Sequence, residues 1–370
     1  MRRMILTATS AVALVLSSAI AQAESIKIAF AGPMTGSVKQ YGDMVREGFD
    51  TAVELINAAG GIDGRKLEAI HYDDACEPKQ AVAVANKIVS DGVSFVVGHV
   101  CSGSTIPAAN IYDNEGIVMI TPTSSAPSLT DAKLRTSIFR TMGRDDQQAP
   151  VAARYIIEKI KPTKVAVLHD KQSYGQGVAT VVKQVLDDAK VNVVIFEGIN
   201  AGESDYSAVI TKLKAAGVDF VYFGGYHPEM GLLLRQSREQ GFKAGFMGTE
   251  GIANAQLAAV AGPAVEGVLL TLAANFANDP SNADLVKAFA DKKRDASGAY
   301  QLQAYSAVKI IADAIAATKS TDPVKVAEYI HGNTFATPIG KISYDKKGDL
   351  LSFTYDVLQA NKDGSRSPAP

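Results

Sequence analysis

Hydroxyl side chains cluster in two loops of the N-terminal half, each directly after a short apolar segment that is typical of a buried strand. They are Ser102 and Ser104 in the first loop, and Thr123, Ser124 and Ser125 in the second. The chain after Ser102 is predicted to begin a helix, where free backbone amides and the helix dipole favour an anion. These two loops therefore predict a site for a small carboxylate.

A carboxylate of the protein itself follows a strand-like segment in the C-terminal half. Glu250 lies between Gly248 and Gly251, and glycines let the backbone approach a ligand closely. Three tyrosines occupy loops that we expect on both sides of the same cleft, namely Tyr41, Tyr174 and Tyr226. An anion site opposite an acidic residue, with aromatic walls between them, suits a small zwitterion that has an apolar tail.

Each of these residues also has an ordinary structural interpretation. Ser102 alone could be an N-cap, Glu250 a solvated loop acid, and the tyrosines core residues with one wet edge. The adjacent acids Asp73 and Asp74 are interpreted as turn and capping groups, and His227 as the start of a helix. The convergence of Ser102, Glu250 and the tyrosines at matching strand ends favours binding.

A repeated segment relates the two halves of the chain. Residues 91–98 (DGVSFVVG) recur as residues 216–224 (AGVDFVYFG), 125 residues further on. In both places an amphipathic helix precedes the apolar strand, and a loop of small and polar residues follows it. This repeat predicts two similar α/β lobes, whose strands point their carboxyl ends at a shared cleft.

Strand and helix patterns alternate throughout most of the chain, which predicts parallel sheets covered on both faces. Residues 280–330 are mostly helical, and two strand-like segments follow at 341–344 and 352–357. The predicted fold class is α/β, with two Rossmann-like lobes and parallel central sheets. Lobe one takes residues 24–143 plus 273–351, and lobe two takes residues 144–272 plus 352–370. Three crossovers, near Gly143, Leu272 and Leu351, would form a hinge.

The first 23 residues have the pattern of a cleaved secretory signal. Arg2 and Arg3 precede an apolar run that is too short to span a bilayer, and Ala21-Gln22-Ala23 is a small-x-small cleavage site. Cleavage would leave 347 residues with 35 basic and 39 acidic side chains, a net charge of −4. The absence of a dominant basic patch argues against a nucleic-acid partner. We expect a periplasmic protein.

Cys76 and Cys101 are the two cysteines of the chain. An even number in an exported protein favours a disulfide, which would stabilise the fold by roughly 3 kcal/mol. The alternative is a metal site formed by Cys76, His99 and Cys101, although the histidines show no regular zinc spacing. We expect neither a metal nor another cofactor.

Enzyme motifs are missing from the sequence. It has no Gly-x-Ser-x-Gly elbow and no phosphate-binding loop, and Thr180 stands where a dinucleotide motif that starts at Gly175 needs its third glycine. No nucleophile, histidine and acid form an evident cluster. We therefore expect a binding protein, although an enzyme acting on a small amino acid or amide stays an alternative.

Several stretches resemble the periplasmic leucine/isoleucine/valine-binding proteins of branched-chain amino-acid ABC transporters, which are type I periplasmic binding proteins. The resemblance covers essentially the whole chain after residue 23. The specific stretches are Tyr41-Gly42-Asp43, residues 72–76 (YDDAC) with 78–87 (PKQAVAVANK), Gly98-His99 with Cys101-Ser102, residues 169–172 (HDKQ) with Tyr174-Gly175, and residues 224–231 (GGYHPEMG). The cysteine pair, Cys76 and Cys101, matches the disulfide of that family.

The resemblance implies a role for each site residue. The ligand carboxylate would meet Ser102 and Ser125, and its ammonium would meet the Thr123 carbonyl, the Tyr226 hydroxyl and the Glu250 carboxylate. The residues implied around the ligand side chain are Tyr41, Val100, Cys101, Ser124, Tyr174, Tyr226 and Tyr300. Family members have Ala-Ala-Thr where this chain has Thr123-Ser124-Ser125, so Ser124 adds a hydroxyl to an otherwise apolar wall.

The resemblance implies a monomer that closes on L-leucine, L-isoleucine or L-valine and docks on an inner-membrane ABC permease. Small or hydroxylated amino acids and amides are the alternative ligands, because of Ser124. A sensor module that serves a receptor is the alternative role within the same fold.

Overall fold

A five-stranded parallel sheet forms the centre of the first lobe. We call this sheet and the elements packed around it lobe one. The computed structural model describes residues 24–370, so the predicted signal at residues 1–23 lies outside the described residues. The strands lie in the order β2-β1-β3-β4-β5. Their bounds are β1 (Ile26–Gly32), β2 (Leu67–Asp73), β3 (Phe95–Gly98), β4 (Val118–Thr121) and β5 (Ile138–Arg140).

A second sheet lies at the centre of lobe two, and five of its seven strands repeat the arrangement of the first. The parallel strands are β6 (Val165–His169), β7 (Val193–Gly198), β8 (Phe220–Gly224), β9 (Gly245–Gly248) and β10 (Leu269–Ala273). A small separate hairpin, β11 (Phe335–Thr337) and β12 (Gly340–Ile342), precedes the last two strands of this sheet, β13 (Tyr355–Ala360) and β14 (Arg366–Pro368).

The two sheets have the same internal strand order. Lobe one reads 2-1-3-4-5, and the parallel part of lobe two reads β7-β6-β8-β9-β10, which is the same order counted from β6. The repeated segments 91–98 and 216–224 contain β3 and β8, which hold the same place in their sheets. The predicted α/β fold with two similar lobes is confirmed.

The second sheet is mixed, where the sequence predicted a parallel one. β13 pairs antiparallel with β10, and β14 pairs antiparallel with β13. β13 also begins at Tyr355, three residues later than the predicted strand at 352–357. The short strands β5 and β14 were not predicted, because three residues are too few to show a periodic pattern.

Twelve α-helices cover the sheets in the described part of the chain. Their bounds are α1 (Lys39–Ala58), α2 (Pro78–Ser90), α3 (Ser102–Asn114), α4 (Ser128–Asp131), α5 (Asp145–Tyr155), α6 (Ser173–Asp188), α7 (Ser207–Ala216), α8 (His227–Glu239), α9 (Gln256–Ala261), α10 (Ala283–Asp291), α11 (Gln301–Thr318) and α12 (Pro323–Gly332). A π-helical turn, Ile156–Ile160, continues α5. Within residues 24–370 no helix combines the length and apolar character that crossing a membrane requires.

The alternation of side chains along β1 explains why helices cover both faces of its sheet. Ile28 and Phe30 point into the core formed with α1 and α11, whereas Ala29 and Ala31 point into the core formed with α2 and α3. All four residues are at most 1% exposed. The sheet is therefore buried on both faces, and its polar contacts are left to the strand ends.

A buried ion-pair network connects the loop after β4 with the segment near the third predicted crossover. Arg140 Nε donates to Asp349 Oδ1 at 2.7 Å, and Arg144 Nη1 donates to Asp349 Oδ2 at 2.6 Å. Arg140 also donates to the backbone carbonyls of Ser124 and Ala126. Burial acts to raise the pKa of Asp349, but Arg140, Arg144 and Thr130 together outweigh it and hold that pKa below its usual range.

The turn that presents Asp349 requires a glycine at position 348. The φ of Gly348 is +85°, and a Cβ there would lie 1.9 Å from the carbonyl oxygen of Ile138. The backbone of β5 and this turn are in contact, since Arg140 N donates to the Gly348 carbonyl at 3.2 Å. The hinge boundaries near Gly143, Leu272 and Leu351 stay a prediction.

We expect Asp349→Ala to destabilise the protein by about 3–5 kcal/mol, because it leaves the Arg140 guanidinium buried without its partner. Urea unfolding followed by circular dichroism measures the loss. Asp291→Ala is the control, since Asp291 pairs with Lys287 in water and the change should be far smaller. Equal midpoints for Asp349→Ala and the unmodified protein would contradict the stabilising role assigned to this ion pair.

Candidate ligand-binding site

One small cavity lies where the carboxyl ends of the parallel strands of the two sheets face each other. The residues that line it come from both lobes and are Tyr41, Val100, Ser102, Thr123, Tyr174, Tyr226, Glu250, Gly251 and Tyr300. Of these, only Gly251 was not among the predicted site residues. The predicted residues Cys101, Ser124 and Ser125 are buried beside the cavity but do not line it.

Lobe one contributes two loops that are bonded to each other. Ser102 is the first residue of α3, and its Oγ accepts a hydrogen bond from Ala126 N at 3.3 Å. The Thr123 hydroxyl donates to the Val100 carbonyl at 2.6 Å. Because both loops are tied together in this way, their polar groups are positioned before a ligand arrives.

Ser124 directs its hydroxyl into lobe one. Its Oγ is bonded to the hydroxyl of Thr105 and lies 3.4 Å from the Val100 carbonyl. Ser125 points the other way, and its hydroxyl donates to Glu250 Oε1 at 3.4 Å, across the two lobes. The Ser124 hydroxyl therefore adds no polarity to the cavity wall, although the sequence pattern indicated that it would.

Cys101 is bonded to Cys76 in a disulfide that joins the residue before α3 to the loop before α2. His99, the third member of the alternative metal site, bonds Asp74 Oδ2 through Nδ1 at 2.6 Å and the Tyr112 hydroxyl through Nε2 at 2.9 Å. Both sulfurs are used in the disulfide, so the favoured interpretation of the cysteines agrees with the structure and the metal alternative does not.

Glu250 is the acidic group of the cavity and is only 1% exposed. It begins a short 3₁₀ turn after β9, in which the Thr249 hydroxyl accepts from Gly251 N at 3.2 Å. Tyr174 OH donates to Glu250 Oε1 at 3.0 Å, and Gln148 Nε2 donates to Oε2. Burial raises the pKa of Glu250 to about 7, although these hydrogen bonds act against that rise.

Four tyrosines form the aromatic walls. The ring centroid of Tyr41 lies 5.9 Å from the ring centroid of Tyr226 and 5.9 Å from that of Tyr300. The ring centroids of Tyr174 and Tyr226 are 5.3 Å apart. All four side chains are 8% exposed or less. The walls can enclose an apolar group, while the hydroxyls offer hydrogen bonds at the edges.

Tyr41 connects the two lobes directly. Its hydroxyl donates to the Gly251 carbonyl at 2.6 Å and lies 2.8 Å from His227 Nδ1. Because a phenol has one proton, and the carbonyl takes it, His227 must donate through Nδ1–H. Burial lowers the pKa of His227 to about 4, so the ring is neutral at physiological pH. His227 begins α8, as the sequence indicated.

Two contact residues were missed in the sequence. Gln148 lies in the first turns of α5, where a polar side chain is common and carries no signal of its own. Gly251 contributes its carbonyl to Tyr41, and backbone groups cannot be identified from residue type. A search for polar residues near the crossovers would have found Gln148.

The space enclosed by these residues is about 20 Å³, which is close to the volume needed for a single water molecule. An amino acid is much larger. Access for such a ligand therefore requires the lobes to separate, or the lining side chains to move, before the cleft closes around it.

Comparisons with known proteins agree with this architecture. Residues 25–365 match a family described as periplasmic binding protein. The leucine-, isoleucine-, valine-, threonine- and alanine-binding protein of Pseudomonas aeruginosa is 55% identical over 345 residues, covering 93% of this chain and 92% of the relative. The Leu/Ile/Val-binding protein of Escherichia coli K12 is 48% identical over 352 residues, covering 95% of each chain.

The crystal structure of a leucine-binding protein from Thermotoga maritima is similar to this structure over most of its length. Its TM-score is 0.85 at 26% sequence identity, and the match covers 93% of this chain and 98% of that one. The two-lobed arrangement is therefore shared along nearly the full length of both proteins.

We expect Tyr41→Phe to shift the ligand-free protein towards an open form. The change leaves the buried Gly251 carbonyl without its donor, which costs about 1–3 kcal/mol and alters the open–closed ratio roughly fivefold to a hundredfold. Small-angle X-ray scattering measures the radius of gyration. Tyr112→Phe is the control, because its hydroxyl bonds His99 within lobe one. Identical scattering from Tyr41→Phe and the unmodified protein would show that this bond does not favour closure.

Proposed function

The chain belongs to the periplasmic binding protein family, and we propose that it captures an aliphatic L-amino acid in the cleft and delivers it to an inner-membrane ABC transporter. The proposed ligands are L-leucine, L-isoleucine and L-valine. These amino acids appear in the names of both the P. aeruginosa and the E. coli relative. The observation that carries the proposal is the buried Glu250 carboxylate, which has no cation partner among the described residues and lies between tyrosine walls.

A ligand ammonium would supply the missing charge. Glu250 would be its ion-pair partner, and the Tyr226 hydroxyl and the Thr123 carbonyl would accept its remaining hydrogens. A buried carboxylate is stable in the ionised form only when it is paired and hydrogen-bonded. Closure of lobe two would therefore be favoured by a ligand that brings a cation to Glu250.

The ligand carboxylate would lie on lobe one, at the start of α3. Ser102 and Ser125 would donate their hydroxyls to it, so Ser125 would turn from Glu250 to the ligand. The apolar side chain would lie against Val100 and the tyrosines at 41, 174, 226 and 300. Cys101 and Ser124 would support this wall from behind, because neither lines the cavity.

We also propose the lobe boundaries that the sequence indicated, with a hinge near Gly143, Leu272 and Leu351. Closing on the ligand would be a rotation of the lobes about these segments. The closed form, acting as a monomer in the periplasm, would dock on the permease. The relatives are named as binding proteins, which supports a role without catalysis.

Isothermal titration of refolded residues 24–370 with single L-amino acids tests the proposed ligand class. Refolding removes any ligand kept through purification. We expect tight binding of leucine, isoleucine and valine, and weaker binding of threonine and alanine, because the tyrosine walls favour a larger apolar side chain. Failure of all five amino acids to bind would refute the proposal, and a preference for threonine or alanine would change the ligand class.

We expect Glu250→Ala to weaken leucine binding by about 3–5 kcal/mol, roughly a hundredfold or more, because the ammonium then lies buried without its counter-charge. Glu250→Gln, which keeps the shape, should also lose most of the affinity. The control is Glu229→Gln, since Glu229 is a buried glutamate of lobe two that accepts from Gly202 N and does not line the cavity. Unchanged titrations for Glu250→Gln would refute the assigned role.

A further inference from the structure

A second buried carboxyl group lies behind Glu250. Asp145 is the first residue of α5 and is fully buried, and Gln148 follows it by three positions, on the same face of the helix. Gln148 donates to Glu250 Oε2. Gln148 therefore connects α5, which carries Asp145, to the carboxylate of Glu250, and the two acids are close enough for the charge of Glu250 to act on Asp145.

Ser125 of lobe one also connects the two acids. Asp145 N donates to the Ser125 carbonyl at 2.9 Å, and the Ser125 hydroxyl donates to Glu250 Oε1 at 3.4 Å. The pair thus lies at the contact between lobes, beside the place proposed for the ligand ammonium.

Neither acid forms an ion pair with a positively charged residue among residues 24–370. Both Asp145 carboxyl oxygens are also buried without a hydrogen-bond partner in this part of the chain. Arg140 is near Asp145, but its guanidinium is bonded to Asp349 and to backbone carbonyls. Two ionised carboxylates would be costly here, as in other sites where two acids share one environment.

The groups that face this pair from the surrounding elements include one cation, Arg140, which is bonded elsewhere. Six are tyrosines, namely Tyr41, Tyr174, Tyr222, Tyr226, Tyr300 and Tyr355. The charged groups are Arg140 and Asp146, which act on Asp145 in opposite directions. Burial raises the pKa of every one of these tyrosines well above its usual value, so all are neutral near pH 7.

The pKa values of Glu250 and Asp145 agree with this geometry. Burial raises the pKa of Glu250 to about 7. Burial, together with the negative charge of Glu250, raises the pKa of Asp145 well above its usual value. Because the two groups interact strongly, they titrate as a pair.

We propose that one of the two carboxyl groups, that of Asp145 or that of Glu250, is protonated in the ligand-free cleft. Binding of the ligand's ammonium then releases this proton to the solvent. One carboxyl O–H bond breaks, the proton passes to the buffer, and the ammonium keeps its three hydrogens. Asp145 is a positioning residue, because it acts on the ligand through the protonation of Glu250. The inference rests on the proposed function, since it requires a ligand with an ammonium group.

The proposal determines the direction of the pH dependence. The ammonium favours the ionised pair, so the complex holds fewer protons than the ligand-free protein. Below about pH 7 a proton must leave before the ligand binds, and the apparent Kd should therefore rise as the pH falls. The slope approaches about tenfold per pH unit where one proton is released.

Titration calorimetry with L-leucine in two buffers of different ionisation enthalpy counts the protons released. At pH 6.5 we expect the measured enthalpy to depend on the buffer, with release of close to one proton per leucine. Asp145→Asn should still bind leucine, because Glu250 remains, but it should release fewer protons than the unmodified protein, because the negative charge of Asp145 no longer favours protonation of the pair. Glu229→Gln should release as many protons as the unmodified protein, and circular dichroism checks that each variant is folded.

Equal enthalpies in the two buffers for the unmodified protein would overturn the proposal, even if Asp145→Asn failed to fold. Undiminished proton release by a folded Asp145→Asn variant would also overturn it. Failure of every tested amino acid to bind at any pH would instead refute the proposed function. The two failures are therefore distinguishable in the same experiment.

Discussion

The structure depends on the burial of one carboxylate, that of Glu250, between the two lobes. A carboxylate removed from water must gain hydrogen bonds and a counter-charge, or else take up a proton. Tyr174, Gln148 and Ser125 supply the hydrogen bonds. No described residue supplies the counter-charge, which makes this part of the cleft suited to a cationic group that arrives from outside.

The rest of the site holds the partners of this carboxylate in position. The Arg140 guanidinium bonds the carbonyls of Ser124 and Ala126, and thereby links the polar loop of lobe one to Asp349. The disulfide between Cys76 and Cys101 restrains the start of α3. Tyr41 closes the contact by donating to Gly251 across the lobes. The polar loops are therefore held within each lobe, and a few hydrogen bonds, such as those of Tyr41 and Ser125, connect the lobes.

Much of the fold could be predicted because its signals are local and repeated. The apolar strands β3 and β8 lie in nearly identical stretches of sequence, and Pro78 marks the start of α2. Strands β5 and β14 were missed because they contain only three residues each, and the antiparallel edge formed by β13 depends on pairing with the distant β10. The positions of Gln148 and Asp145 near Glu250 were also missed, because they depend on contact between residues that are far apart in the chain.

The sequence by itself determined the α/β class, the two-lobed repeat, and most of the residues that line the cavity, because periodicity and strand-end position depend on neighbours along the chain. Only the tertiary structure decided which partners the hydroxyls of Ser124 and Ser125 bond. Ser124 bonds Thr105 within lobe one, whereas Ser125 reaches Glu250. It also placed Asp145 and Glu250, 105 positions apart in the chain, in one buried environment. Their shared electrostatics arises from distance in space and loss of water, which residue order does not specify.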